Sequence, residues 1–197
     1  MTPQPYTLQL GLPRNLRRQA AQLYWQAFGS KLGLVMGPEP RALAYLAAVI
    51  RADHAIIAMS DTGQLLGLAG FKTPHGSFAS GGPDTLRASY GTFGGLWRGR
   101  LLTWLSSEID DTNFLLDGLC VAPDLRGHGL GTALLSAICA EARLRGYPAV
   151  RLDVVDTNWR ARALYRRLGF VETQRQDIGL LRLFFGFTKA ITMVRKV

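Results

Sequence analysis

An apolar run, Phe114 to Val121, leads into Ala122-Pro-Asp-Leu-Arg-Gly-His-Gly-Leu-Gly-Thr132, and a helical pattern, Leu130 to Leu144, leads out. Strand, tight glycine loop and helix in that order limit the fold more than any other stretch of the chain. Arg126, Gly129 and Gly131 spell Arg-x-x-Gly-x-Gly, and Gly127 adds a further glycine. Glycine lets the backbone turn sharply and keeps side chains out of the way of a bound group. The loop then presents free N–H groups at the positive end of a helix, where an anion is stabilised. The residues alone therefore suggest a phosphate-binding turn, with a plain strand-to-helix turn as its rival. No Gly-Lys-Ser/Thr follows, so it is not a Walker loop, and the glycine spacing does not suit a dinucleotide fingerprint.

A second segment points the same way. Leu119-x-Val121-x-Pro123-x-x-Arg126-Gly127-x-Gly129-x-Gly131 resembles motif A of the GNAT superfamily of acetyl-CoA-dependent N-acetyltransferases. Asn158-x-x-Ala161-x-x-Leu164-Tyr165-x-x-x-Gly169-Phe170 resembles its motif B, with the apolar strand Ala149 to Val155 between them. The resemblance covers roughly residues 114–171. It implies a single α/β domain over residues 1–197, with a central mixed, splayed sheet and helices on both faces. Residues 1–60 fit that fold by pattern, and about 74–110 read as an insertion.

In chain order, Tyr6 to Leu10 reads as a strand. Pro13 opens a helix, Arg14 to Phe28, whose end Gly29 and Gly33 punctuate. Pro40 opens another, Arg41 to Arg51. His54 to Met59 and Leu65 to Lys72 form a hairpin around Asp61-Thr-Gly63. Residues 74–83 read as loop. Asp84 to Ser107 is helical but broken at Gly91, Gly94, Gly95 and Gly99, and carries Tyr90, Phe93, Trp97 and Trp104. That segment reads either as an insertion packing its aromatics on the core or as a substrate lid. Gly146 caps the helix from Leu130. Asn158 to Leu168 is a helix ended by Gly169, and Phe170 to Gln176 and Thr188 to Val194 are the closing strands. Leu180 to Phe187 is apolar and reads as strand or short helix.

Charge and cysteine content narrow the partners. The net charge is +9, with arginines scattered rather than gathered in one run. Several fall near the proposed cofactor: Arg126, Arg160, Arg162, Arg166 and Arg167. A polyanionic ligand accounts for part of the excess, and nucleic acid is the minor alternative. No apolar run is long enough to span a bilayer and no signal peptide is evident, so the expectation is a cytoplasmic protein without a membrane partner. Cys120 and Cys139 have apolar neighbours and read as buried free thiols; no metal spacing occurs. The oligomeric state, monomer or homodimer, stays open.

Moving an acetyl group from a thioester to an amine requires a base for the amine, a donor to the carbonyl oxygen, a proton for the thiolate and fixed reactants. The resemblance implies that pantetheine lies between the strands ending at Val121 and Val155, along Leu119 to Val121. The Val121 N–H is then the donor to the thioester oxygen. Pyrophosphate rests on Arg126, Gly127, His128, Gly129, Leu130, Gly131 and Thr132; the His128 side chain itself is expected exposed and not catalytic. Asn158 and Tyr165, seven residues apart, share a helix face with the small Ala161 between. The family gives Asn158 a hydrogen bond to the cofactor and Tyr165 the role of general acid. A base is sought at Asp117, on the face of Leu119 and Val121 by strand alternation, or at Asp153 on the adjoining strand; either carboxylate could instead be paired with an arginine.

The resulting expectation is an acyltransferase carrying an acetyl group from acetyl-CoA to a primary amine, on a small molecule or a peptide, by direct transfer and without a metal. The alternatives are a non-catalytic CoA-binding regulatory module and a nucleic-acid-associated protein.

Overall fold

The computed structural model describes residues 5–79, 81–105, 112–179 and 182–197. Its strands are β1 (Tyr6–Leu10), β2 (Ala55–Ser60), β3 (Leu65–Thr73), β4 (Gly76–Ser77), β5 (Phe114–Val121), β6 (Ala149–Val155), β7 (Val171–Asp177) and β8 (Lys189–Lys196). Among the described residues these eight form one sheet in the order β1-β2-β3-β5-β6-β8-β7, with β4 appended to β3. Among the described residues only β5 and β6 pair in parallel; the other neighbours are antiparallel. The fold is the expected mixed α/β one.

Period-two burial splits the core into two layers, one on each face of the sheet. On one face α1 (Arg17–Met36), α2 (Glu39–Val49) and α3 (Pro83–Tyr90) pack Ala20, Leu23, Leu46 and Leu86 against Ile57, Leu68 and Cys120. On the other, α5 (Leu130–Leu144) and α6 (Trp159–Arg167) pack Leu134, Leu135, Ile138 and Tyr165 against Phe71, Phe114, Leu152 and Met193. Both of these helices stop in the same way. Tyr147 N–H bonds Ala142 C=O at 3.0 Å past Gly146 (φ 78), and Phe170 N–H bonds Tyr165 C=O at 3.0 Å past Gly169 (φ 82). That six-to-one bond around a left-handed glycine satisfies the last carbonyls of each helix. No described helix is long and apolar enough to cross a membrane.

Several boundaries differ from the sequence expectation. Helix α1 starts three residues after Arg14 and runs through Gly29 and Gly33 to Met36. A mid-helix glycine costs about 1 kcal/mol, which the burial of Val35 and Met36 offsets. The second helix starts at Glu39, two residues before the expected Arg41, and ends at Val49. Residues 76–77, expected as loop, form β4. In the segment expected to be an insertion, only Gly91 (φ 75) among the described glycines breaks the helix, separating α3 from α4 (Thr92–Leu105). Gly95 is instead a close approach: a Cβ there would stand 2.8 Å from the Arg87 backbone N, so α4 lies directly on α3. The ambiguous apolar stretch holds one helical turn, α7 (Arg182–Phe185); Leu180 and Leu181 lie outside the described residues.

Candidate active site

The parallel pairing of β5 with β6 ends early. Phe114, Leu115 and Leu116 face Val150, Arg151 and Leu152, and no pair follows. Beyond that point the strands diverge as expected, and a cleft of about 1610 Å³ opens between Asp117–Val121 on one side and Leu152–Val155 on the other. On its other edge β5 remains paired with β3 up to Gly67 opposite Val121. Ala122 N–H donates to Leu66 C=O on β3 at 3.0 Å. Successive N–H groups of a strand point to opposite edges, so those of Val121 and Leu119 point into the cleft.

At the cleft's open end the chain turns through Pro123–Leu125 into α5. Gly129 is the N-cap at φ 85, ψ −10, and Gly127 has φ 86. A Cβ at either would meet nothing within 4 Å. The glycines are thus required by backbone conformation, and the space before them is open. Ala133 N–H is the first of α5 to find its helical partner, Gly129 C=O at 3.0 Å, so the N–H groups of Leu130, Gly131 and Thr132 have no intrahelical acceptor. Such a concave set of donors at a helix start suits a phosphate. Arg126 folds back, its Nε donating to Val121 C=O at 3.2 Å. Gly131 lets α5 approach α6: a Cβ would stand 3.4 Å from Leu164 Cδ2. Thr132, Leu119 and Ala161 border the cleft. The His128 side chain is exposed and that of Leu130 is buried, so these two could serve only through their N–H groups.

Asn158 caps α6, its Oδ1 accepting from Ala161 N–H at 3.2 Å. The cap fixes the start of the helix whose next two turns carry Ala161, Leu164 and Tyr165 to the cleft wall. Tyr165 is buried, its ring 6.0 Å from Phe170. Burial, with a smaller contribution from the neighbouring Cys120, raises its phenol far above the ordinary value. Burial likewise pushes the Cys120 thiol up, which disfavours the thiolate a covalent route would need.

The two carboxylates differ. At Asp117 the register between β3 and β5 slips: Gly70 faces Gly118, yet Phe71 faces Leu116. Asp117 is the extra residue of a bulge, so simple alternation fails there and the expected shared face with Leu119 and Val121 is not what forms. Leu119 and Val121 pack on the α5–α6 side. The Asp117 carboxylate instead accepts from Ser77 Oγ at 2.8 Å and Ala79 N–H at 3.3 Å. It lies close enough to Tyr24 of α1 to add to the burial that raises that phenol. Asp153 accepts from Thr192 Oγ1 at 2.5 Å and stands 3.6 Å from Arg151.

Sequence reading missed one wall of the cleft. Tyr24, Phe28 and Lys31 of α1 border it, as do Gln174 and Gln176 of β7 and Phe187. What brings Tyr24 and Phe28 in is Gly118: a Cβ there would lie 3.1 Å from Tyr24 Cε2 and 3.2 Å from Phe28 Cε2. The insertion behaves differently. None of its described residues, 74–105, borders the cleft. Arg98 anchors it to the end of α1, Nε donating to Val35 C=O at 2.6 Å while the guanidinium lies 4.4 Å from the Tyr90 ring. Trp97 stacks on Arg98 at 4.3 Å.

Comparison with known proteins gives the same answer over most of the chain. Residues 18–170 match the Acetyltransferase (GNAT) family. A 57-residue stretch is 37% identical to a thialysine N-epsilon-acetyltransferase of Bos taurus, covering 29% of this chain and 34% of that one, so the match spans about a third of the bovine protein. An N-acetyltransferase from Staphylococcus aureus has the same fold, with a TM-score of 0.66 at 14% identity over 96% of this chain and all of that one. A Bacillus anthracis protein solved in complex with acetyl coenzyme A aligns with a TM-score of 0.50 at 16% identity, over 73% of this chain and 61% of that one.

Proposed function

The chain belongs to the acetyltransferase (GNAT) family, and from that premise we propose that it transfers an acetyl group directly from acetyl-CoA to a primary amine. The observation that carries the reading is the early end of the β5–β6 pairing beside an open, glycine-lined helix start. An unpaired strand edge can hold the amides of pantetheine, and the adjoining N–H groups can hold a pyrophosphate. Arg126, Gly127, His128, Gly129, Leu130, Gly131 and Thr132 supply that anion site, mainly through their backbone. The N–H of Val121 points into the cleft and is the donor to the thioester oxygen as negative charge builds on it. Leu119 and Asn158 complete the cofactor's hydrogen bonds, and Ala161 leaves room for it to pass.

Asp117 takes the proton of the incoming amine. Its hydrogen-bond partners, a hydroxyl and an amide N–H, are neutral, so its charge remains available to attract an ammonium group. Asp153 stands beside Arg151, which counters its charge, and so has an electrostatic rather than a proton-accepting role. Tyr165 protonates the departing thiolate. A phenol carries its proton at neutral pH and so can act as donor; the burial that raises it makes it a weaker acid, which an arriving thiolate must offset.

The test is release of CoA from acetyl-CoA by the purified protein against a panel of primary amines, followed as free thiol. Amine-dependent release that Tyr165→Phe suppresses supports the reading. Tight CoA binding with no acetylation of any amine would favour the regulatory module instead.

A further inference from the structure

The one charged residue that α1 brings to the cleft lacks a counter-charge among the described residues. Lys31 follows Tyr24 by seven residues on the helix face that also carries Phe28, and borders the cleft with both. It is half-buried. Among the described residues no carboxylate pairs with it and it makes no other polar contact. Of the other cations that border the cleft, Arg126 bonds Val121 C=O and Arg151 lies by Asp153. Burial lowers the Lys31 ammonium, with no neighbouring charge to oppose the effect. An ammonium group kept in such a place is costly unless an anion arrives with the ligand.

The same wall has a negative pole. Asp117 lies beside Tyr24, with neutral partners only. Seven residues of helix put Lys31 about 10 Å further along the α1 axis, and its flexible side chain shortens the gap. Between the two poles stand the rings of Tyr24 and Phe28, in contact at 4.6 Å. We propose that the acceptor is a small amino carboxylate, its amine directed to Asp117 and its carboxylate held by Lys31. This rests on the transfer reading above and narrows its acceptor. The carboxylate takes no part in the bond changes: the amine nitrogen bonds the acetyl carbon, its proton passes to Asp117, and the thiolate leaves with the Tyr165 proton.

The experiment compares matched acceptors that differ only in a carboxylate: lysine with cadaverine, and β-alanine with ethylamine. In the native protein kcat/KM should favour the carboxylated member of at least one pair. Lys31→Met should reduce that preference on the order of 10–100-fold, the worth of one charge-assisted hydrogen bond, and Lys31→Arg should restore most of it. CoA affinity, measured by calorimetry on each variant, reports that the fold and the cofactor site are intact. Turnover of cadaverine and ethylamine with a preference that Lys31→Met leaves unmoved overturns this proposal alone. Absence of turnover with every amine removes the transfer reading, and this one with it.

Discussion

Gly129 separates the needs of the fold from those of the ligand. It stands at φ 85, ψ −10 with nothing within 4 Å of a would-be Cβ. Gly129→Ala therefore meets no clash and costs backbone strain alone, about 1–2 kcal/mol for an L residue in the left-handed region. At this chain length that lowers Tm by roughly 2–8 °C. Gly129→Asp should be no less stable than Gly129→Ala. Aspartate tolerates the left-handed region better, and its charge at the start of α5 is worth about 0.3–1 kcal/mol against the helix dipole. On CoA the order reverses. A carboxylate about 4 Å from a phosphate near a protein surface is repelled by as much as ~4 kcal/mol. Solvent screening reduces this, so Gly129→Asp should weaken CoA at least ~30-fold relative to Gly129→Ala. Thermal unfolding and calorimetric titration of both variants check the two orders together. Equal CoA affinity in the two would place the pyrophosphate elsewhere and refute the loop assignment.

Tyr165→Phe keeps the ring contact with Phe170 and removes one hydroxyl; kcat should fall about 10²–10⁴-fold with acetyl-CoA affinity retained, and an undiminished kcat would make Tyr165 a packing residue. Asp117→Asn should lower kcat/KM for the amine most at low pH, where free amine is scarce, while CoA affinity measured by titration stays unchanged. Trp97→Ala, in a helix none of whose described residues borders the cleft, should leave the KM of both substrates unchanged in steady-state assays; a raised acceptor KM would revive the lid idea. Glu172 accepts from Arg162, Arg166 and Arg175, and these bonds, Arg162 first, hold its carboxyl at about 2 against an ordinary 4.5. The folded value is the lower one, so the stabilisation is full above pH 4.5 and is lost as pH falls toward 2. Since Arg166 and Arg175 are largely solvent-exposed, about 1–2 kcal/mol is expected, and denaturant melts of Glu172→Gln should show that loss at neutral pH and a flatter acid limb.

The legible part of the chain was the part whose function imposes unusual backbone. Positive-φ glycines at 127, 129, 146 and 169 mark the loop and both helix ends, and no other residue type sits as well there. Those positions carried the family, the order strand–loop–helix–strand–helix, and Asn158 to Tyr165 on one face. Tertiary packing decided the rest. Gly29 and Gly33 look like stops, yet α1 continues because its far end is buried. The bulge at Asp117 has no local signal, since Leu-Leu-Asp-Gly-Leu alternates equally well without it. Tyr24 and Phe28 reach the cleft because Gly118, about ninety positions away in the chain, has no side chain to hold α1 off. A glycine of that kind is invisible as a site residue until the neighbour it admits is seen.

The short seam between β5 and β6 has a consequence for how the molecule opens. Three facing residue pairs join β1-β2-β3-β5 to β6-β8-β7, so the amides of the two halves need not exchange with solvent at one common rate. Native-state hydrogen exchange reports such cooperative units separately. In the free protein β6, β8 and β7 should exchange as one group, through openings that leave β2, β3 and β5 protected. A ligand seated in the wedge touches both groups and stabilises only the joined form. Saturating CoA should therefore slow exchange throughout β7, including residues 171–173, which do not border the cleft, as much as in β6, and bring the two halves toward a single opening.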